Sequence, residues 1–189
     1  MNSALKVYNK RKVDYEKIDL FKYEQENLKP SSVFILIFET NKEKEVLFLK
    51  RSNSLQYHKG EICFPGGSYE HKDQYLLNTA FREVEEETGI NKNDIDLKFS
   101  LNEEITRTRF AIKPFVGVIK KELKIKIDNN EIEYYFKLPL SFIEDKKNMR
   151  SHYFLSKKNK LVSRPAFFYE GNLIWGATAN ILKKLLAKI

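Results

Sequence analysis

Cysteine is almost missing from this chain: 189 residues carry one, Cys63. A lone thiol excludes a disulfide framework and a zinc site built on cysteines. Between Ile62 and Phe64 it reads as a small core side chain. Glycine and proline are scarce too, at 7 and 5, which excludes collagen-like and low-complexity chains. The longest apolar run, Val33–Phe38, falls far short of the ~20 residues that cross a bilayer. The opening residues MNSALKVYNKRKVDYEK have no apolar centre of the kind a secretory signal needs. G-x-S-x-G, the P-loop and G-x-G-x-x-G are all absent, so serine hydrolase, ATPase and dinucleotide oxidoreductase readings drop out. The three histidines, His58, His71 and His152, show no metal-ligand spacing.

What is present describes a folded chain. Hydrophobic residues make up 42% and aromatics 13%, and the length suits one domain with one sizeable core. An N-terminal arm over residues 1–30 and a single domain over 31–189 are expected. Strands are predicted at Val33–Glu39 and Glu45–Arg51, joined by a polar turn, and at Ile62–Phe64, stopped by Pro65-Gly66-Gly67. Leu77, Phe81, Val84 and Thr88 recur at three and four residues and predict a helix over Leu76–Thr88, closed by Gly89. Further strands are expected at 96–101, 112–119, 123–127 and 131–137. Short ones are expected at 153–155, 166–169 and 172–174. An amphipathic helix over 176–188 ends the chain, and its Ala-Lys-Ile terminus is read as helix end rather than as a peroxisomal address. A cytoplasmic protein is expected.

The stretch Arg82-Glu83-Val84-Glu85-Glu86-Glu87-Thr88-Gly89 is the most informative. At about 100° per residue, Glu83, Glu86 and Glu87 share an arc about 100° wide while Glu85 points elsewhere. Like charges so placed destabilise a helix, and the macrodipole disfavours anions at this end. A cation would offset both, and an all-oxygen set suits a hard divalent ion such as Mg²⁺. Upstream, Gly66 and Gly67 let backbone approach a bound anion closely. A glycine turn leading into an acidic helix describes metal-assisted phosphate chemistry.

The segment Gly67–Ile90 resembles the Nudix box, G-x5-E-x7-R-E-U-x-E-E-x-G-U. From Arg82 through Ile90 every fixed position matches; upstream the acidic position is Asp73, and eight residues rather than seven separate it from Arg82. The same extra residue occurs in the coenzyme A pyrophosphatase branch. That branch is also resembled by Leu47-Phe48-Leu49-Lys50-Arg51-Ser52, Gly60 and Phe64-Pro65-Gly66-Gly67, although its second arginine is Gln56 here. Residues 113–117, 138–142 and 174–179 look similar as well.

The resemblance implies an α/β fold, a Nudix-type α/β/α sandwich with a mixed β-sheet between helices. It implies metal-dependent hydrolysis of a pyrophosphate bond, with coenzyme A or acyl-coenzyme A giving 3′,5′-ADP and a 4′-phosphopantetheine. Mg²⁺ or Mn²⁺ is the expected cofactor. Glu83 and Glu87 are expected as metal ligands, with Glu86 sharing the metal or holding water. Glu86 and Glu131 are the candidates for general base, with Glu103 and Glu104 behind them. Arg82 either braces a box glutamate or forms an ordinary surface pair with Glu86. Arg51 is a phosphate-binding candidate or a strand-end surface arginine; Lys59 stands in for the missing arginine, and Gly66 and Gly67 line the substrate. Trp175 is read as core.

Two rivals remain: a Nudix hydrolase of ADP-ribose, dinucleoside polyphosphates or capped RNA, and a nucleotide- or RNA-binding module on the same scaffold. Retention of Glu83, Glu86 and Glu87 ranks catalysis first. The expected partner is a small nucleotide, not a membrane or a nucleic acid; oligomeric state is not legible. The net charge of +8 reads as a basic surface drawing a polyanion toward an acidic helix.

Overall fold

The computed structural model describes residues 18–40, 43–54, 58–156 and 159–189. Gln56 and most of the N-terminal arm lie outside them. The described part of the arm forms α1 (Leu20–Gln25), whose first turn is capped by the Asp19 side chain.

The main sheet is built on β1 (Lys29–Glu39), which is longer than the predicted strand at its start. Its apolar run is continuous rather than alternating because both faces are covered. Ile35 and Ile37 enter one core and Phe34, Leu36 and Phe38 the other. β1 runs parallel to β7 (Phe110–Ile119) and antiparallel to β2 (Lys44–Arg51). β5 (Asp96–Ser100) and β6 (Glu104–Ile105) flank β7, and β8 (Ile132–Pro139) flanks β2. The sheet is therefore mixed. Against one face lies α2 (Leu76–Thr88), burying Leu77, Ala80 and Val84. Against the other lie α3 (Leu140–Glu144) and α4 (Gly176–Leu186), through Ile143, Ile181, Leu182 and Leu185. The α/β/α sandwich is the architecture expected.

β1 and β2 pair only through Ile37–Glu39 and Lys44–Val46, and then part. Two short strands fill the split: β3 (Ile62–Cys63) pairs with Leu49 and Lys50 of β2, and β4 (Gly66–Ser68) pairs with Ser31–Val33 of β1. The glycines are thus part of a strand rather than a free turn. Gly66 has φ 152°, and a Cβ there would overlap the Ser32 carbonyl oxygen and Val33 Cα. Only glycine brings the chain this close.

Three further expectations change. Residues 123–127 form no strand despite their alternation. Their neighbourhood covers the end of α2 instead, the amides of Lys126 and Asp128 donating to the carbonyls of Thr88 (2.9 Å) and Glu87 (3.3 Å). Those carbonyls have no partner inside the helix, so capping wins over pairing. Two of the short strands near the C-terminus are longer, β9 (Met149–Leu155) and β10 (Leu161–Tyr169), and with β11 (Asn172–Ile174), which keeps its expected bounds, they form a separate antiparallel sheet. The final helix stops at Leu186. No helix among the described residues is long and apolar enough to cross a membrane.

Candidate active site

α2 starts after a 3-10 turn at His71–Asp73 and ends at Gly89, which adopts the left-handed conformation at φ 67°. Its amphipathic period buries one stripe and turns Glu83, Glu86 and Glu87 toward β4. Gly67 lies against Glu83 so closely that a Cβ there would overlap the carboxylate. Gly66 donates its N–H to Glu87 Oε2 at 2.9 Å.

Glu87 is 3% exposed. Its other oxygen, Oε1, is buried without a hydrogen-bond partner. The nearest cation is Arg51, whose Nη1 stands 3.9 Å away and whose own Nε is buried and unpaired. Burial pushes the Glu87 carboxyl up to about 8; the charges of Glu83 and Glu131 push the same way, while the Gly66 N–H and Arg51 oppose them. Glu83 is raised too, first by burial, with the adjacent Arg82 resisting. Glu131 begins the approach to β8, is exposed, and acts on both glutamates through its charge. Its carbonyl accepts from the Ser52 amide at 2.7 Å, tying it beside Arg51.

Arg82 is no solvated surface pair. It is 14% exposed and grips Asp73 with two bonds of 3.0 Å, from Nε and Nη2. Nη2 also donates to the Ser68 carbonyl at 3.0 Å, and Nη1 to Glu83 and Glu86 at 2.9 Å each. Asp73 further accepts from the Thr79 hydroxyl and the Glu70 amide. Burial alone would raise its carboxyl, but these donors hold it below the ordinary carboxylate value. The arginine therefore fastens the start of α2, β4 and two acidic side chains to one another.

Among the described residues, no three His, Cys, Asp or Glu side chains converge into a ready cage for an ion. Glu86 is 55% exposed in its side chain and engaged by Arg82. The donor set still fits a hard divalent cation. Mg²⁺ takes one or two carboxylates and completes its shell with water and phosphate oxygens, and the unpaired buried Oε1 of Glu87 is the kind of group a cation satisfies. Glu83 and Glu87 are the two carboxylates placed for it.

Other candidates fall elsewhere. Glu104 is committed to Lys184 and Asn180, each at 2.7 Å, and Glu103 accepts from Tyr23. Cys63 is half-buried, and its thiol is pushed up to about 12 by burial first and the Glu87 charge second. Lys50 was not foreseen. It alternates with Arg51 on β2 and so faces the other side of the sheet, where it lines a cavity of about 350 Å³ with Lys59, Glu61, Asn172 and Trp175. Its ammonium sits 5.4 Å from the Tyr134 ring centre, and Tyr134 donates to Asn172 at 2.6 Å. Trp175 is only partly buried and meets His152 edge-on at 5.7 Å. The strand period of two was the available signal for Lys50.

The profile of the NUDIX domain matches residues 28–160. The chain belongs to the Nudix hydrolase family. Its Nudix relatives include an uncharacterized Nudix hydrolase, NudL, of Photorhabdus laumondii, 30% identical over 146 residues that span 76% of each chain. Among solved structures, a Caenorhabditis elegans Ap4A hydrolase complex superposes with TM-score 0.51 at 14% identity, covering 60% of this chain and 82% of that one. A MutT/nudix family protein of Enterococcus faecalis gives 0.53 at 16% identity, covering 87% and 66%. At these identities the Nudix likeness is one of fold. Membership makes the chain a pyrophosphohydrolase, of a family that generally uses divalent metal ions and takes small nucleotide substrates.

Proposed function

We propose that this Nudix hydrolase cleaves the pyrophosphate of coenzyme A or acyl-coenzyme A, giving 3′,5′-ADP and a 4′-phosphopantetheine. The observation that carries the hydrolytic reading is Glu87: a buried carboxylate with one oxygen tied to the glycine strand and the other unpaired, beside Glu83 and Arg51. Glu83 and Glu87 would hold a divalent ion, Mg²⁺ or Mn²⁺, which when bound would supply Lewis acidity toward phosphate oxygens and water.

The chain's own groups do the rest. Arg82 fixes the rotamers of Glu83 and Glu86, a positioning role. The part-exposed Arg51 guanidinium beside Glu87 offers N–H donors to a phosphate oxygen. Gly66 and Gly67 keep the floor of the site free of side chains. Glu131, exposed and close enough in charge to feel both buried glutamates, accepts the proton of the attacking water, with Glu86 as the alternative base.

The choice of coenzyme A is supported by the branch-like segments around Arg51 and Gly60, and by the cavity on the far side of β2. Lys50 and Lys59 offer two cations for a phosphate outside the reacting pair, and Trp175 offers a ring edge for a base. A turnover screen with Mg²⁺ across coenzyme A, acyl-coenzyme A, ADP-ribose and diadenosine polyphosphates tests this. Faster cleavage of the coenzyme A species is expected; good turnover of ADP-ribose with none of coenzyme A would sink the branch assignment.

A further inference from the structure

The β9–β10 hairpin carries chemistry that hydrolysis does not use. Its base belongs to the core, through Met149 and Phe167. Moving outward along the same face, the register places Tyr153 opposite Ser163 and Leu155 opposite Leu161. There the apolar groups meet solvent: Tyr153 is 60% exposed, Leu155 67% and Leu161 68%. A cross-strand pair of leucines is a poor thing to leave in water.

The surroundings are cationic. Residues 149–169 contain five Lys or Arg and no Asp or Glu. Arg150 and Arg164 alternate onto the reverse face of the hairpin, and at its foot they border a groove of about 260 Å³ together with Lys183 of α4. Among the described residues none of these three forms an ion pair, nor does Lys160 beside Leu161. Exposed aliphatic groups rimmed by unpaired cations match a surface that is anionic outside and apolar just beneath.

We propose that the outer end of this hairpin docks on an anionic lipid surface, with Tyr153, Leu155 and Leu161 entering the interface and Arg150, Lys160, Arg164 and Lys183 facing the headgroups. Nucleic acid fits less well, because the most exposed pair at the outer end, Leu155 and Leu161, is aliphatic and leaves Tyr153 as the one exposed ring there for a base to stack on. A second copy fits less well, because two such hairpins would oppose cation to cation. The lack of a membrane-spanning run does not bear on contact of this kind.

Sedimentation with phosphatidylcholine vesicles, with and without about one-third phosphatidylserine, tests the proposal on the full chain. The protein is expected to pellet with the anionic vesicles, and roughly tenfold less with neutral ones or in high salt. Leu155→Ser with Leu161→Ser, and separately Arg150→Ser with Arg164→Ser, are each expected to weaken that binding about tenfold. All these positions are exposed, so the thermal melt should stay close to the parent's. The proposal fails if the leucine variant binds vesicles as the parent does, or if no vesicle is bound. It fails equally if the leucines prove necessary instead for RNA retention on filters or for self-association in the ultracentrifuge.

Discussion

Glu87 and Asp73 are two buried carboxylates with opposite circumstances. Every oxygen of Asp73 is used, by Arg82, Thr79 and the Glu70 amide; one oxygen of Glu87 is not. Removing charge from each should therefore act differently. Glu87→Gln keeps the shape and relieves an unsatisfied buried group, so the metal-free protein should melt no lower than the parent. It should also lose the stabilisation that millimolar Mg²⁺ gives the parent and at least about 10²-fold in kcat/KM. A metal-dependent melt that survives in Glu87→Gln would remove this residue from the cation site. Asp73→Asn instead breaks the two-pronged grip on Arg82, costing about 3 kcal/mol, the low end for a broken buried pair. The Asp73 carboxyl is held below its usual 3.8, so its stabilising effect is complete above that pH and fades as pH falls through the folded value. Urea unfolding should show the gap between parent and Asp73→Asn at pH 7 and a shrinking gap below pH 3.8; a gap independent of pH would refute the ion pair as its source.

At the scale of elements, the working feature is the parting of β1 and β2, which admits β3 and β4 and sets the glycines against α2. The two glycines are not equivalent. Alanine at Gly66 collides with backbone at Ser32 and Val33 and has an unfavourable φ, costing about 2–4 kcal/mol and lowering the melt by about 5–15 °C. Alanine at Gly67 meets only the flexible end of Glu83, so its melt should move little while kcat falls with the displaced carboxylate. Equal melts for the two variants would contradict the split-strand geometry. α2 itself was legible to the residue, because its apolar period and Gly89 are local signals. The split was not, since register between distant strands leaves no mark on local pattern. The 123–127 segment misled for the same reason: alternation marks which side chains are buried, not which backbone they pair with. Arg82 was half legible. Spacing pointed to Glu86, four residues on, whereas its strongest partner is Asp73, brought back by a 3-10 turn.

Across the whole molecule the net charge of +8 is unevenly held. Residues 1–17 carry five Lys or Arg and two Asp or Glu, residues 149–169 carry five and none, and the remaining chain carries 24 of each. The remaining chain, which holds the carboxylate site, is thus neutral overall, and the excess of +8 belongs to residues 1–17 and 149–169. Substrate anions are left to a few placed groups, Arg51 and the Lys50–Lys59 cavity, whose lining shares no residue with the groove at Arg150 and Arg164. Charges in water act over about 8 Å at physiological salt, so the two basic regions should be separable by mutation. Arg150→Ser with Arg164→Ser should leave kcat/KM for the nucleotide within about twofold of the parent at that salt. Lys50→Ala should raise KM about tenfold, one charge-assisted contact with a phosphate, and leave kcat nearly unchanged. The same lysine variant should weaken 3′,5′-ADP as a product inhibitor far more than 5′-AMP, because only the first carries the additional phosphate. If the hairpin pair lowers kcat/KM tenfold while Lys50→Ala is silent, the nucleotide is captured through the hairpin, and the cavity beside β2 has no part in choosing the substrate.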